Sequence, residues 1–320
     1  MGLRRHLFFI ALFSMGIHGC ASYNPRPLSE SLFLDRAQTK IENNVQVKAA
    51  VPSAAETRQI FGVDLYQNGI QPVWIEIENR DEKPIWFLPV GLDPMYFTPL
   101  EAAYVNHFRF SVTGNERMNS YFFEQGKDSY VHPGDSRSGF VFTNIDEGTK
   151  SFAVDLVGED GQVRTFTFFI PVPGLKIDHS KIDFEGLYPA DMWKNFDDEE
   201  DFIAYLQGLP CCTVNKKGSE SGDPINLIVL GNGEDVYHTF IRAGWDETET
   251  ITAGSAWKTG VAYLFGKQYR YSPVSALYLF GRRQDAALQK ARGRIHERNH
   301  LRLWLAPVQF KGNLVWVGQI

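Results

Sequence analysis

Between residues 43 and 174, short segments whose apolar and polar side chains alternate with a period of two read as half-buried β-strands. In Val73-Trp74-Ile75-Glu76-Ile77-Glu78, the Val and both Ile share one face, and Trp74 shares the other with the two Glu. The polar run Asn79-Arg80-Asp81-Glu82-Lys83-Pro84 reads as a turn, and Ile85-Trp86-Phe87-Leu88-Pro89 as the returning strand. Further strands are predicted at Gly139–Thr143, Ser151–Val157 and Val163–Ile170, the last two joined by the turn-forming Gly158-Glu159-Asp160-Gly161-Gln162. Phe166, Phe168 and Ile170 form a core-facing row. Such spacing predicts an antiparallel β-sandwich, immunoglobulin-like, with a helix over Glu101–Phe110 crossing one end. Nothing in it assembles a catalytic set, so this half reads as a spacer or binding module.

The 320 residues are 43% hydrophobic and 22% charged, which excludes a disordered chain, and three cysteines exclude a disulfide scaffold. A net charge of −6 argues against bulk nucleic-acid binding, but that charge is unevenly spread. Residues 20–212 carry 16 Lys+Arg against 29 Asp+Glu, net −13, whereas residues 213–320 carry 14 against 9, net +5. With the linker-like Asn215–Gly222, this divides the chain into the sandwich at 43–174, an acidic connector at 175–222 and a smaller mixed α/β domain at 223–320. The fold class expected is α+β. In the connector, acidic residues 197–201 precede Phe202-Ile203-Ala204-Tyr205-Leu206, the arrangement of a helix with an acidic first turn. The run lacks the bend glycine of a calcium loop, and the histidines lack zinc spacing, so no metal is expected. Cys211 and Cys212 are adjacent, which excludes a C-x-x-C site and leaves either a vicinal disulfide or two small buried apolar residues.

Residues 1–19 contain Arg4 and Arg5, no acidic residue, and the apolar run LFFIALFSMGI, too short to span a bilayer and of signal-peptide length. The run ends in Ile17-His18-Gly19-Cys20, which resembles the lipobox of bacterial lipoproteins. The resemblance implies cleavage before Cys20, lipidation of its thiol and attachment to membrane lipid through acyl chains. Ala21, where Asp would resemble an inner-membrane retention signal, implies the outer membrane. Residues 20–42 read as a tether and a short helical segment, with 21–27 flexible.

In the basic half, Ile225–Leu230 reads as a strand and Glu234–Ala243 as a helix with Val236, Phe240 and Ile241 on one face. The intervening Gly231-Asn232-Gly233 lacks a full dinucleotide or P-loop fingerprint, Asn232 reads as an N-cap, and no cofactor is expected. A second helix is predicted at Thr252–Phe265 and a strand at Ala276–Gly281. Arg282, Arg283 and Arg302, within a run rich in basic residues, are candidates for anion binding, since guanidinium groups suit phosphate or carboxylate. If His300–Trp304 is a strand, His300, Arg302 and Trp304 share a face opposite Leu301, Leu303 and Leu305. That row is either a solvated face or a phosphate site, with His300 and His238 as candidate acid/base groups.

Several ordered motifs resemble the LssY C-terminal domain, a family named for a type I secretion system component. They are Leu209-Pro210-Cys211-Cys212-Thr213, Gly222–Leu227, Ala243-Gly244-Trp245, Ser272–Ser275, Leu279–Asp285, His300–Trp304 and Val315-Trp316-Val317-Gly318. The likeness covers residues 209–320 and implies a place in the bacterial envelope without implying an activity. Family members continue past the Val-Trp-Val-Gly strand, so the stop at Gln319-Ile320 reads as a truncation. Two functions fit the residues. The first is a lipid-anchored envelope binding or scaffold protein whose basic domain meets an anionic lipid or an envelope protein. The second is a hydrolase acting on an anionic envelope substrate, which requires His238, His300 and the arginines to converge.

Overall fold

The structure, a computed structural model, describes residues 23–28, 32–146, 148–174, 186–248, 275–291 and 298–320. It is mixed α+β with mainly antiparallel sheets. The five predicted segments and three unpredicted ones, the first of them inside residues 20–42 that read as tether and short helix, form eight strands, β1 (Gln38–Glu42), β2 (Val45–Ala50), β3 (Ile70–Asn79), β4 (Ile85–Leu88), β5 (Tyr130–Val131), β6 (Ser136–Asn144), β7 (Thr149–Gly158) and β8 (Val163–Pro171). They pair into two sheets, ordered β1-β2-β3-β6 and β5-β4-β7-β8. Val47, Ile75 and Ile77 from the first meet Phe87, Val154, Leu156 and Phe168 from the second in one core. The Phe166, Phe168 and Ile170 row lies in that core, as its period requires.

The outer face of the first sheet carries a second core. Helices α1 (Ala54–Phe61), α2 (Pro99–Val105) and α3 (Val112–Gln125) cover it, bringing Phe61, Ala103, Met118 and Phe122 onto Ile70, Trp74, Phe140 and Phe142. Trp74 is therefore buried, although its strand face was read as polar. Farther along that face, Glu76 and Glu78 pair instead with Lys48 and Arg80. The single helix expected over Glu101–Phe110 is a hairpin of two helices. Ser53 with Glu56 and Thr98 with Glu101 form capping boxes that start α1 and α2. Residues 23–27, within the expected flexible tether, are docked on this layer. Tyr23 is buried edge-on against Tyr121, with ring centroids 6.2 Å apart, and Arg26 N–H donates to the Gln59 carbonyl at 2.9 Å.

The C-terminal domain contains β9 (Lys194–Phe196), α4 (Glu199–Gln207), β10 (Cys212–Val214), β11 (Ser221–Pro224), β12 (Leu227–Leu230), α5 (Gly233–Arg242) and β13 (Asp246–Glu247). It continues with β14 (Tyr278–Leu279), β15 (Arg282–Arg283), β16 (Ala286–Ala291), β17 (Arg298–Phe310) and β18 (Asn313–Gln319). The main sheet runs β12-β18-β17-β16-β13, with β9 parallel to the far end of β17, and a small sheet runs β11-β10-β14-β15. Helix α5 packs Val236, Phe240 and Ile241 onto Leu288, Leu301, Leu303 and Leu305. Phe202 of α4 and Leu279 cover Trp304, Val308 and Val317 on the opposite face. Asn232 caps α5, its side-chain oxygen accepting from Asp235 N–H at 2.8 Å. The helix expected at Thr252–Phe265 lies outside the described residues, and the strand expected at Ala276–Gly281 is confined to Tyr278–Leu279.

Residues 186–222, read as an acidic connector, are part of this domain, because β9 pairs with the main sheet and α4 closes its core. Leu187 packs in this domain's core and Tyr188 donates to the Leu305 carbonyl, and residues 187–320 hold 15 Lys+Arg against 15 Asp+Glu, so counting the residues packed here removes the positive excess. In the N-terminal domain, β6 passes close under the loop after α3. A Cβ at Gly139 would lie 2.7 Å from the Gly126 carbonyl oxygen and 2.8 Å from Lys127 Cα. Gly139→Ala is therefore expected to cost about 1–3 kcal/mol, measured by urea unfolding, because backbone must move. An unchanged midpoint would contradict the close approach.

Candidate functional site

Strand β17 runs past the end of β16, whose last ladder partner on it is Leu303. Beyond, β9 resumes the pairing only at Val308. Leu305, between them, has its backbone groups satisfied by side chains: its N–H donates to Asp285 at 2.6 Å, and its carbonyl accepts from Arg282 and Tyr188, each at 2.7 Å. Arg282 forks onto the Asp285 carboxylate through two nitrogens and also donates to Tyr188 Oη at 2.8 Å. Asp285 is 1% exposed. The Arg282 guanidinium, a candidate anion ligand, thus has an internal carboxylate and fills a gap in the sheet.

His300 and Arg302 do share a strand face, as the period of two requires. That face is not solvated: Trp304 and Arg302 are both buried, because α4 and neighbouring segments lie over it. Arg302 donates to Gln319 Oε1 at 2.8 Å and to the Ser275 carbonyl at 3.3 Å, with the Asp223 carboxylate 3.8 Å away. Burial pulls its pKa below the usual arginine range, opposed by Asp223. His300 is also pushed down, first by burial and then by Arg302 and Arg298, which favours the neutral imidazole. Arg283 lies in β15, half-buried.

His238 lies elsewhere. It sits on α5, the helix covering the Leu301, Leu303 and Leu305 face, so the sheet separates it from His300. Its ring stacks on Phe169 of β8, centroids 3.7 Å apart and planes within 2°. Burial lowers its pKa, while Glu234, 4.0 Å away, acts in the opposite sense. Beside this stack, the Glu247 carboxylate accepts from the backbone N–H of Thr149 and, at 3.0 Å, from the Thr149 hydroxyl. Glu247 is 2% exposed, and burial raises its pKa to about 7, against the lowering effect of the Thr149 hydrogen bonds. These contacts join the sandwich to the C-terminal domain. Neither Phe169, on the outward row of its strand, nor Glu247, in a polar acidic run, carries a sequence signal for this role.

Cys211 and Cys212 are joined as a vicinal disulfide at the start of β10, with Cys211 exposed. Cys20 lies outside the described residues. Among the described residues, no group of three His, Cys, Asp or Glu side chains is placed to hold a metal, and no helix is long and apolar enough to cross a membrane.

Residues 204–320, just over a third of the chain, match the family described as LssY C-terminus. The match begins inside α4, which the packing also assigns to the domain. No curated protein matches the chain. A similar solved structure is that of a candidate lipoprotein (ycdA) from Bacillus subtilis, 11% identical, covering 83% of this chain and 73% of that chain with a TM-score of 0.21. A likeness that low carries no argument.

Asp285→Ala leaves Arg282 buried beside an unpaired Leu305 N–H, and is expected to cost about 3–5 kcal/mol in urea unfolding. A loss below about 1 kcal/mol, the range of an exposed pair, would contradict the gap-filling role. Glu247 makes a pH-dependent contribution. Its ordinary value is 4.5 and its folded value about 7, so between these the folded state binds more protons and stability falls as pH rises. The full effect is roughly 3 kcal/mol, at about 1.4 kcal/mol per pKa unit. Glu247→Gln should remove that component of a stability-versus-pH curve, and a curve unchanged by the substitution would refute the assignment.

Proposed function

We propose that the protein is a lipid-anchored component of a bacterial cell envelope, held by acyl chains on Cys20 and acting as a binding or scaffold protein rather than as a hydrolase. The lipobox-like Ile17–Cys20 and the match to the LssY C-terminus family support the envelope reading. The observation that carries the non-catalytic reading is the division of His238 and His300 between opposite faces of the C-terminal sheet. A hydrolytic site needs its acid/base groups within reach of one reacting atom. Both Arg282 and Arg302, moreover, are committed to internal acceptors. Strand order β2-β3-β6 against β5-β4-β7-β8 favours an immunoglobulin-like sandwich, an architecture shared by many cell-surface binding and spacer domains.

A C-terminal domain with equal numbers of acidic and basic residues has no net charge to draw an anionic surface, so this reading favours an envelope protein as its partner. Ala21 after the lipidated residue favours the periplasmic face of the outer membrane. The test is intact-mass analysis of the membrane-extracted chain together with fractionation of Cys20→Ser. Expected are a chain beginning at Cys20 with added acyl mass, and loss of that modification in the variant. An unmodified wild-type Cys20 would overturn the anchor.

A further inference from the structure

The α2–α3 hairpin buries one side in the second core and leaves an apolar outer side. Leu100 is 51% exposed, Tyr104 73%, Val105 49%, Phe110 92%, Val112 75% and Phe123 69%. The two helices are tied together on this side. The Tyr104 ring lies 5.2 Å from that of His107, whose Nε2 is 2.7 Å from Asn119 Oδ1, one turn before Phe123. Val112 and Phe123 are three helical turns apart and fall on one stripe of α3. Six exposed apolar or aromatic side chains on one side of the hairpin, interrupted on α3 by Glu116 and Asn119, mark an interaction surface of the kind that sits where apolar and polar surroundings meet.

Covalent geometry indicates what it meets. Tyr23 is fixed in the second core against Tyr121 of α3, and only residues 21 and 22 separate it from Cys20. Three Cα–Cα steps of 3.8 Å span at most about 11 Å. Acyl chains on Cys20 would therefore enter the bilayer about one helix diameter from the flank of α3. Glu116, Arg117, Tyr121 and Glu124 of α3 line a polar groove with Tyr23, and Val112 and Phe123 lie on the adjoining outer side of that helix. Residues 89–125 contain Arg109 and Arg117 against Asp93, Glu101, Glu116 and Glu124, so charge does not draw this surface to anionic lipid.

Resting on the Cys20 reading, we propose that the outer face of the α2–α3 hairpin, centred on Phe110, Val112 and Phe123, seats in the interfacial layer of the bilayer that holds the anchor. Tyr104 and the two phenylalanines supply the aromatic contacts that favour that depth. The attraction is apolar and not electrostatic. It adds a second, non-covalent hold to the acyl anchor and fixes which side of the N-terminal domain faces lipid.

The experiment uses the mature chain from residue 20 carrying Cys20→Ala, floated with zwitterionic phosphatidylcholine vesicles at low and high salt. The chain should co-float at both, with little salt dependence. Adding Phe110→Ser, Val112→Ser and Phe123→Ser together should lower the partition coefficient by roughly tenfold or more. The thermal midpoint should not change, since these side chains are exposed. Failure of the Cys20→Ala chain to float, or equal partition of the substituted chain, overturns the proposal. So does a concentration-dependent dimer that the three substitutions dissolve, which would assign the face to a second copy. The acyl mass of the wild-type chain is read separately, so failure of the anchor and failure of this face are distinguishable.

Discussion

The architecture of the C-terminal domain depends on satisfying β17, a strand buried on both faces and flanked along one edge by two strands that do not meet. A backbone N–H and C=O left open at Leu305, deep in the domain, would each carry a desolvation cost of a few kcal/mol. Asp285, Arg282 and Tyr188 supply the missing partners, and their demands on one another are met in the same arrangement. With that gap closed, β9 and α4 dock beside the strand and the core around Trp304 is sealed. Charged groups are used here where a continuous ladder would have needed only backbone.

This arrangement explains why the site was harder to read from sequence than the fold. Alternation identified β3, β7 and β8, because a period of two reports which residues share a face. It does not report what covers that face. The row containing His300, Arg302 and Trp304 was located in its strand, yet its burial depends on α4 and on segments distant in sequence. Trp74 illustrates the same limit, since the helices that cover it come from two separate insertions into the strand sequence. Arg282 stands out in the sequence as one arginine of a basic run, and Asp285 only as the last residue of the Leu279–Asp285 motif. Their pairing follows from a ladder interruption that no local pattern encodes.

The apparent division of charge arose from placing the boundary at the flexible-looking Asn215–Gly222. Composition marks that stretch as a linker, and in the fold it is the connection between β10 and β11, an edge hairpin. Once α4 with its acidic first turn is counted with the sheet it covers, the positive excess disappears. Those acidic residues are explained by the helix start, where Asp198 accepts from the N–H groups of Glu200 and Asp201.

The seam between the two domains bears on modularity. A family match confined to residues 204–320 suggests a cassette that could be moved between chains, but two of its side chains are completed by the sandwich. His238 lies flat on Phe169, and the Glu247 carboxylate is held by Thr149. Transplanted alone, the cassette would present an imidazole without its Phe169 stack and a carboxylate without its two Thr149 hydrogen bonds. In this chain the last strand of one sheet and the start of its neighbour thus serve as the outer lining of the C-terminal domain, so the stability of the two halves is coupled across the seam.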